Sequence, residues 1–283
     1  MLFRSPDSPP ALRIAEAMAF NGANIGMVGN VTPEGSLLQP GAREYIDFFR
    51  RHMGTLAAAA PVADVAVLRS FASMEFNPSR AIPSAMLVEQ TLIQSRIPFG
   101  LVYDRHLPDL SAYKVLVLPN QDALSEEQMK HIRAFVSAGG GLVATEDTSM
   151  ANEWRWTRDK FGLADLFGVE TRDAAAAPVR REYGKGRVVY LPRIEASGEL
   201  PSPSMSYTFG ISDWKLPRNG REIAEAVRWA ARDRIALEVE APLSVVAEPA
   251  RLPEGMLLHL VNYDFRKPVA NVQVRLRTPG PVS

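Results

Sequence analysis

Lys114–Asp147 reads KVLVLPNQDALSEEQMKHIRAFVSAGGGLVATED, and the order of its parts decides the fold class. KVLVLPN is apolar at successive positions rather than alternate ones, as a strand buried on both faces must be. Ser125 stands at the start of the next polar run, with Gln128 three residues on. This spacing predicts a capping box, in which each residue satisfies a backbone amide that would otherwise lack a partner. Met129, Ile132, Phe135 and Val136 recur at helical spacing and form one apolar stripe. Gly139–Gly141 let the chain reverse without a Cβ clash. GLVATED then reads as a second buried strand. Two such strands joined through a helix make a right-handed crossover. The expected architecture is α/β: a doubly wound parallel sheet with helices on both faces.

The same texture extends on either side. Upstream, ADVAVLRSF (63–71) is a valine-rich strand, FASMEFNPSRAIP a loop, and SAMLVEQTLIQSRI (84–97) a helix with Leu87, Val88, Thr91 and Leu92 inward. FGLVYD (99–104) is the following strand. Downstream, EYGKGRVVYLP (182–192) is a strand that turns at Gly184–Gly186 into an apolar strand. GREIAEAVRWAARD is a helix, with Glu222 and Glu225 early and Arg228 and Arg232 late, which suits the helix dipole. From about residue 235 the pattern changes. LSVVAEPAR, MLLHLVNYD and VANVQVRLR read as three antiparallel strands, fewer than the roughly seven of a sandwich. At the other end, PALRIAEAMAFNG is a helix, NIGMVG (24–29) a short buried strand, VTPEGSLLQPG a loop, and AREYIDFFRRHMGTLAAA a helix with Tyr45, Phe48, Phe49 and Met53 on one side.

Composition narrows the function classes. The 283 residues carry 32 Lys plus Arg and 32 Asp plus Glu, so formal net charge is zero and the arginines form no basic stripe. No nucleic-acid partner is expected. No apolar run approaches the ~20 residues of a membrane span, so no membrane association is expected either. MLFRSPDSPP lacks the apolar core of a secretory signal, and a cytoplasmic location is the expectation. There is no cysteine, which rules out disulfides, thiolate metal sites and a cysteine nucleophile. His52, His106, His131 and His259 share no ligand spacing, so neither a metal nor another cofactor is expected.

Taken in order, these segments resemble a family-42 β-galactosidase or a related glycoside hydrolase. ALRIAEAMAFNGANIGMVG and YIDFFRRHMGTL are similar to the last unit of its (β/α)8 barrel. Lys114–Asp147 and YGKGRVVYLP are similar to its trimerisation domain, which has a class I glutamine-amidotransferase-like, flavodoxin-like fold. The C-terminal strands are similar to the opening of its small β domain. The resemblance implies three parts: a barrel remnant over 1–61, an amidotransferase-like α/β domain over 62–234, and an incomplete antiparallel β segment over 235–283. It also implies a homo-oligomer, a trimer in that family, and a carbohydrate as a possible partner. The chain then reads as a piece of a larger architecture. A retaining glycosidase needs two carboxylates about 5–5.5 Å apart. In the resembled family both lie on earlier barrel strands, and no residue of this sequence matches either position. No catalytic residue is therefore assigned, and the expected role is assembly.

An amidotransferase needs a thiolate at a sharp strand–helix turn with a histidine behind it. Glu146 or Asp147 falls near that turn, and neither can act as the thiol. Ligands of open α/β sheets sit at the C-terminal ends of the strands. Here those ends carry Asp104, His106, Asn120, Asp122, Glu146 and Asp147. Two readings stand for them: a crevice for a small polar molecule or sugar, or loop solvation and capping. Asp104 with His106 has the composition of an acid–base pair. Trp154 and Trp156 at i, i+2, and Trp214 further on, suit either an interface between subunits or stacking on a sugar.

Overall fold

A computed structural model describes residues 10–21, 42–199, 216–264 and 267–277. In chain order the elements are α1 (Pro10–Asn21), α2 (Ala42–Ala58), β1 (Ala60–Pro61), β2 (Val65–Leu68), α3 (Phe71–Phe76), α4 (Pro78–Gln94), β3 (Phe99–Val102), β4 (Val115–Leu118), α5 (Glu126–Ser137) and β5 (Gly141–Thr145). There follow α6 (Ala164–Phe167), β6 (Val179–Tyr183), β7 (Gly186–Leu191), α7 (Gly220–Ala230), β8 (Leu237–Glu240), β9 (Val245–Leu252), β10 (Gly255–Asn262) and β11 (Gln273–Leu276). They divide into two compact units, the larger holding the described residues from Ala63 to Ala236. The expected strand at 24–29 and the loop after it lie outside the described residues.

The larger unit is a six-stranded sheet of order β3-β2-β4-β5-β7-β6. All its pairings are parallel except β6 with β7. The four residues of β2, the four of β4 and the five of β5 are all buried, because helices cover both faces. Val65, Val67, Val115, Val117, Val143 and Val189 face a layer holding Val88 and Leu92 of α4 and Ile223 and Val227 of α7. Their neighbours Ala66, Leu68, Leu116, Leu118, Leu142 and Val188 face Met129, Ile132 and Val136 of α5 and Leu166 and Phe167 of α6. The period-two alternation thus separates two cores.

Local signals explain where the helices begin and end. Ser125 caps α5: its Oγ accepts from Gln128 N–H at 3.2 Å, and Gln128 Oε1 accepts from Ser125 N–H at 2.6 Å. Ser125→Ala should cost about 1 kcal/mol, read from the urea midpoint. Gly184 turns β6 into β7 at a φ of 57°, a left-handed conformation glycine adopts freely. Residues 71–83 correct the expectation of a loop, since they form α3 and the first turns of α4. Pro78 is the first residue of α4, where its missing N–H would have had no helical partner. Pro83 is tolerated five residues further in. The two prolines gave a helical segment the look of a break.

In the smaller unit α1 and α2 pack through Ile14, Met18 and Leu56, with Ile46, Phe49 and Leu257 against them. Tyr45, Phe48 and Met53 stay exposed, so of the expected apolar side of α2 only Phe49 turns inward. Strands β1, β9 and β10 form a small antiparallel sheet, and β8 and β11 pair in a second. Tyr263 Oη donates to Glu16 Oε1 at 2.7 Å. Glu248 stands opposite His259 in the β9–β10 register. Burial raises the Glu248 carboxyl from 4.5 to about 7 and lowers the His259 imidazole.

A raised carboxyl favours the folded state below its unfolded pKa and loses that contribution as pH rises through its folded value. Glu248 should therefore remove stability between about pH 4.5 and 7. His259 acts in the opposite direction as pH rises toward its unfolded value. Melting curves of wild type and Glu248→Gln across this window isolate the carboxylate: the variant should lack the decline. Among the described residues no helix is long and apolar enough to cross a membrane.

Candidate functional site

The C-terminal ends of β4 and β5 carry three non-glycine residues in the left-handed region: Asn120 at φ 51°, Glu146 at φ 53° and Ser149 at φ 67°. Asn is among the residues that tolerate this region best, whereas Glu is not. Each turn is fastened by hydrogen bonds. Asn120 N–H donates to Thr145 Oγ1 at 2.9 Å, and Asn120 Oδ1 accepts from Asp147 N–H at 3.2 Å. Glu146 N–H donates to Leu191 O at 2.9 Å, and Glu146 O accepts from Tyr190 Oη at 2.6 Å. Ser149 N–H donates to Gln121 O, and Ser149 Oγ accepts from Leu163 N–H at 3.1 Å.

One face of α4 meets the carboxylates of these turns. Asn77, Arg80 and Ser84 lie three and four residues apart, so they share that face. Asn77 Nδ2 donates to Asp122 Oδ2 at 2.8 Å. Arg80 Nη2 pairs with Asp147 Oδ2 at 2.5 Å. Ser84 Oγ donates to Glu146 Oε2 at 2.6 Å. Arg172 reaches the same Asp147 oxygen from the other side, at 3.0 Å. Burial pushes the Glu146 carboxyl above its usual range, while the Ser84 hydroxyl and then Arg80 pull it back. The same burial raises the Tyr190 phenol.

The structure therefore joins Asn120, Glu146 and Asp147, and it adds Ser84, Arg80 and Arg172, which the sequence reading did not include. Asp104 and His106 do not form an acid–base pair. Asp104 Oδ2 accepts from Phe71 N–H at 2.9 Å, at the start of α3. His106 Nδ1 accepts from Tyr103 N–H at 2.9 Å and its Nε2 lies 3.2 Å from Arg105 Nε, so both ring nitrogens are engaged away from Asp104. Asp122 is held by the residue preceding α4. Ser84 Oγ bonds the buried Glu146 carboxyl and not a histidine, so among the described residues it has no place in a Ser–His–Asp arrangement. Among the described residues no group of three His, Cys, Asp or Glu side chains stands close enough to hold a metal ion.

Trp154 and Trp156 lie on a tight hairpin beyond these turns, with both rings exposed. Trp214 lies outside the described residues. The hairpin belongs to a segment whose sequence pattern is already known elsewhere. Residues 90–177 match the family model of the β-galactosidase trimerisation domain. The resemblance read from Lys114–Asp147 is thereby shown. The trimerisation-domain match starts inside α4, takes in both strand-end turns and the tryptophan hairpin, and stops before β6.

Solved β-galactosidases of family 42 share this fold. A catalytic mutant of Gan42B from G. stearothermophilus aligns with a TM-score of 0.59 at 16% identity, over 82% of this chain and 40% of its own. The cold-adapted β-galactosidase of Rahnella sp. R3 aligns with a TM-score of 0.61 at 16% identity, over 82% and 41%. That of Bacillus circulans sp. alkalophilus aligns with a TM-score of 0.58 at 14% identity, over 82% and 40%. What is shared at such identities is the fold. The chain spans about 40% of the length of these relatives. No curated protein matches the sequence.

Proposed function

We propose that this chain acts in assembly, as the non-catalytic trimerisation-type part of a β-galactosidase-like glycoside hydrolase. The observation that carries the reading is the trimerisation-domain match over residues 90–177, which includes two exposed tryptophans. Two further features support it. At the strand ends Glu146 and Asp147 are bonded to Ser84 and Arg80 of α4, and Asp122 to Asn77 just before it. The strand order and the two helix layers also suit the flavodoxin-like, amidotransferase-type fold, with 1–61 and 235–283 as flanking parts. The physical work is burial: apolar surface leaves water when copies of the chain meet. Light scattering over a concentration series tests this. Mass should rise to a closed homo-oligomer, and the mass of one chain at the highest concentration would overturn the proposal.

A second reading rests on the left-handed turns at Asn120, Glu146 and Ser149, since strained backbone gathers at ligand sites. It makes the strand ends a site for a small polar molecule or sugar. Calorimetric titration with monosaccharides and galactosides tests it, and the absence of heat would discard it.

A further inference from the structure

The exposed aromatic side chains of the larger unit gather at one end of its sheet. Phe71 is 68% exposed, Phe76 43%, Tyr103 45%, Trp154 73% and Trp156 76%. All five follow the C-terminal ends of β2, β3 or β5. Hydrogen bonds tie their segments into one rim. Phe71 N–H donates to the carboxylate of Asp104, the residue after Tyr103. Helix α3 runs from Phe71 to Phe76, and Asn77 beyond it donates to Asp122. Ala123, next to Asp122, bridges Ala151 at the base of the tryptophan hairpin.

The hairpin itself is built to hold its rings in water. Asn152 Oδ1 accepts from the N–H groups of both Trp154 and Trp156, at 3.0 and 2.9 Å, and Asn152 N–H donates to Trp156 O at 3.0 Å. Arg155 between them takes a φ of 69°. Holding two indoles exposed opposes the hydrophobic effect unless something covers them.

The size and charge of the rim point to the cover. Five aromatic rings exposed to these fractions present on the order of 600 Å². That is most of the ~800 Å² each partner contributes to a standard interface. The chain carries no formal net charge, so copies of it do not repel one another at long range. Three identical subunits can close a ring only through heterologous contacts, in which one patch meets a different patch.

We propose that this aromatic rim is one half of a head-to-tail contact between copies of the chain, with Trp154 and Trp156 seated in a different surface of the next copy. The inference rests on the assembly reading and adds the surface and the symmetry to it. Sedimentation velocity on the whole chain tests it with two variants, Trp154→Ala/Trp156→Ala and, at the far end of the rim, Phe71→Ala. All three side chains are exposed, so far-ultraviolet circular dichroism should not change, nor should melting at concentrations where wild type is dissociated. The double variant should weaken association at least 100-fold and Phe71→Ala at least 10-fold.

A variant that lacks the rim keeps the receiving surface. Excess double variant mixed with wild type should therefore cap wild-type chains and yield a mixed dimer. Wild type that stays a monomer would overturn the assembly reading, and this inference with it. Wild type that assembles while both rim variants assemble equally well would overturn the rim alone. Failure of the mixture to give a mixed dimer would overturn the head-to-tail geometry.

Discussion

Phe167→Ala is expected to cost the larger unit about 3–5 kcal/mol. The Phe167 side chain is fully buried. Its ring stacks on Tyr190 at 5.1 Å and meets the edge of Phe161 at 5.4 Å, and Phe161 lies 5.3 Å from Tyr190. This trio joins α6 to β7 and to the loop that follows the tryptophan hairpin. Removing the central ring leaves a cavity that cannot collapse, because Tyr190 is also held by its hydrogen bond to Glu146 O. Urea denaturation should show a lower midpoint at unchanged slope. A loss below about 1 kcal/mol would mean that the ring is not packed in this way.

The second large effect is Gly141→Val, expected to cost about 3 kcal/mol through overpacking. A Cβ at Gly141 would lie 2.5 Å from Ala230 O and 2.8 Å from Ala230 C. Those atoms are backbone at the end of α7, so no flexible side chain can yield. Gly141 N–H also donates to Lys114 O at 2.8 Å, which fixes β5 beside β4. Relief would require α7 to lift from the sheet. The same urea measurement reads it, and a wild-type midpoint would show that α7 does not press on β5 here. Phe167 and Gly141 lie on opposite faces of the sheet, so a double variant should lose close to the sum of the two.

The parts that were legible in the sequence are those where one local rule dominates. Strands buried on both faces write continuous apolar runs, which is why β2, β4 and β5 could be located from valine and leucine alone. The capping box at Ser125 and Gln128 is a local device and formed as its spacing predicts. The start of α4 was hidden because Asn77-Pro78 and Pro83 imitate a loop, while the helix runs through them with Ala81 and Ala85 buried.

Reading 71–83 as a loop also hid one member of the strand-end cluster. Asn120, Glu146 and Asp147 could be grouped because strand ends come together in any parallel sheet. Arg80 could be placed beside them only once α4 was known to begin at Pro78, and Ser84, at the start of the expected helix, carried no signal that it faces Glu146. Arg172 is joined to Asp147 from 25 positions further along the chain, and no periodicity signals such a contact. The two readings of the tryptophan pair could not be separated by spacing, since interfaces and sugar sites favour the same side chains.

The central claim is that this α/β unit serves assembly. Native mass spectrometry of the whole chain at micromolar concentration tests it most directly. The account predicts one dominant species of three chains, which dissociates when Trp154 and Trp156 are replaced. A single-chain species at every concentration would contradict it.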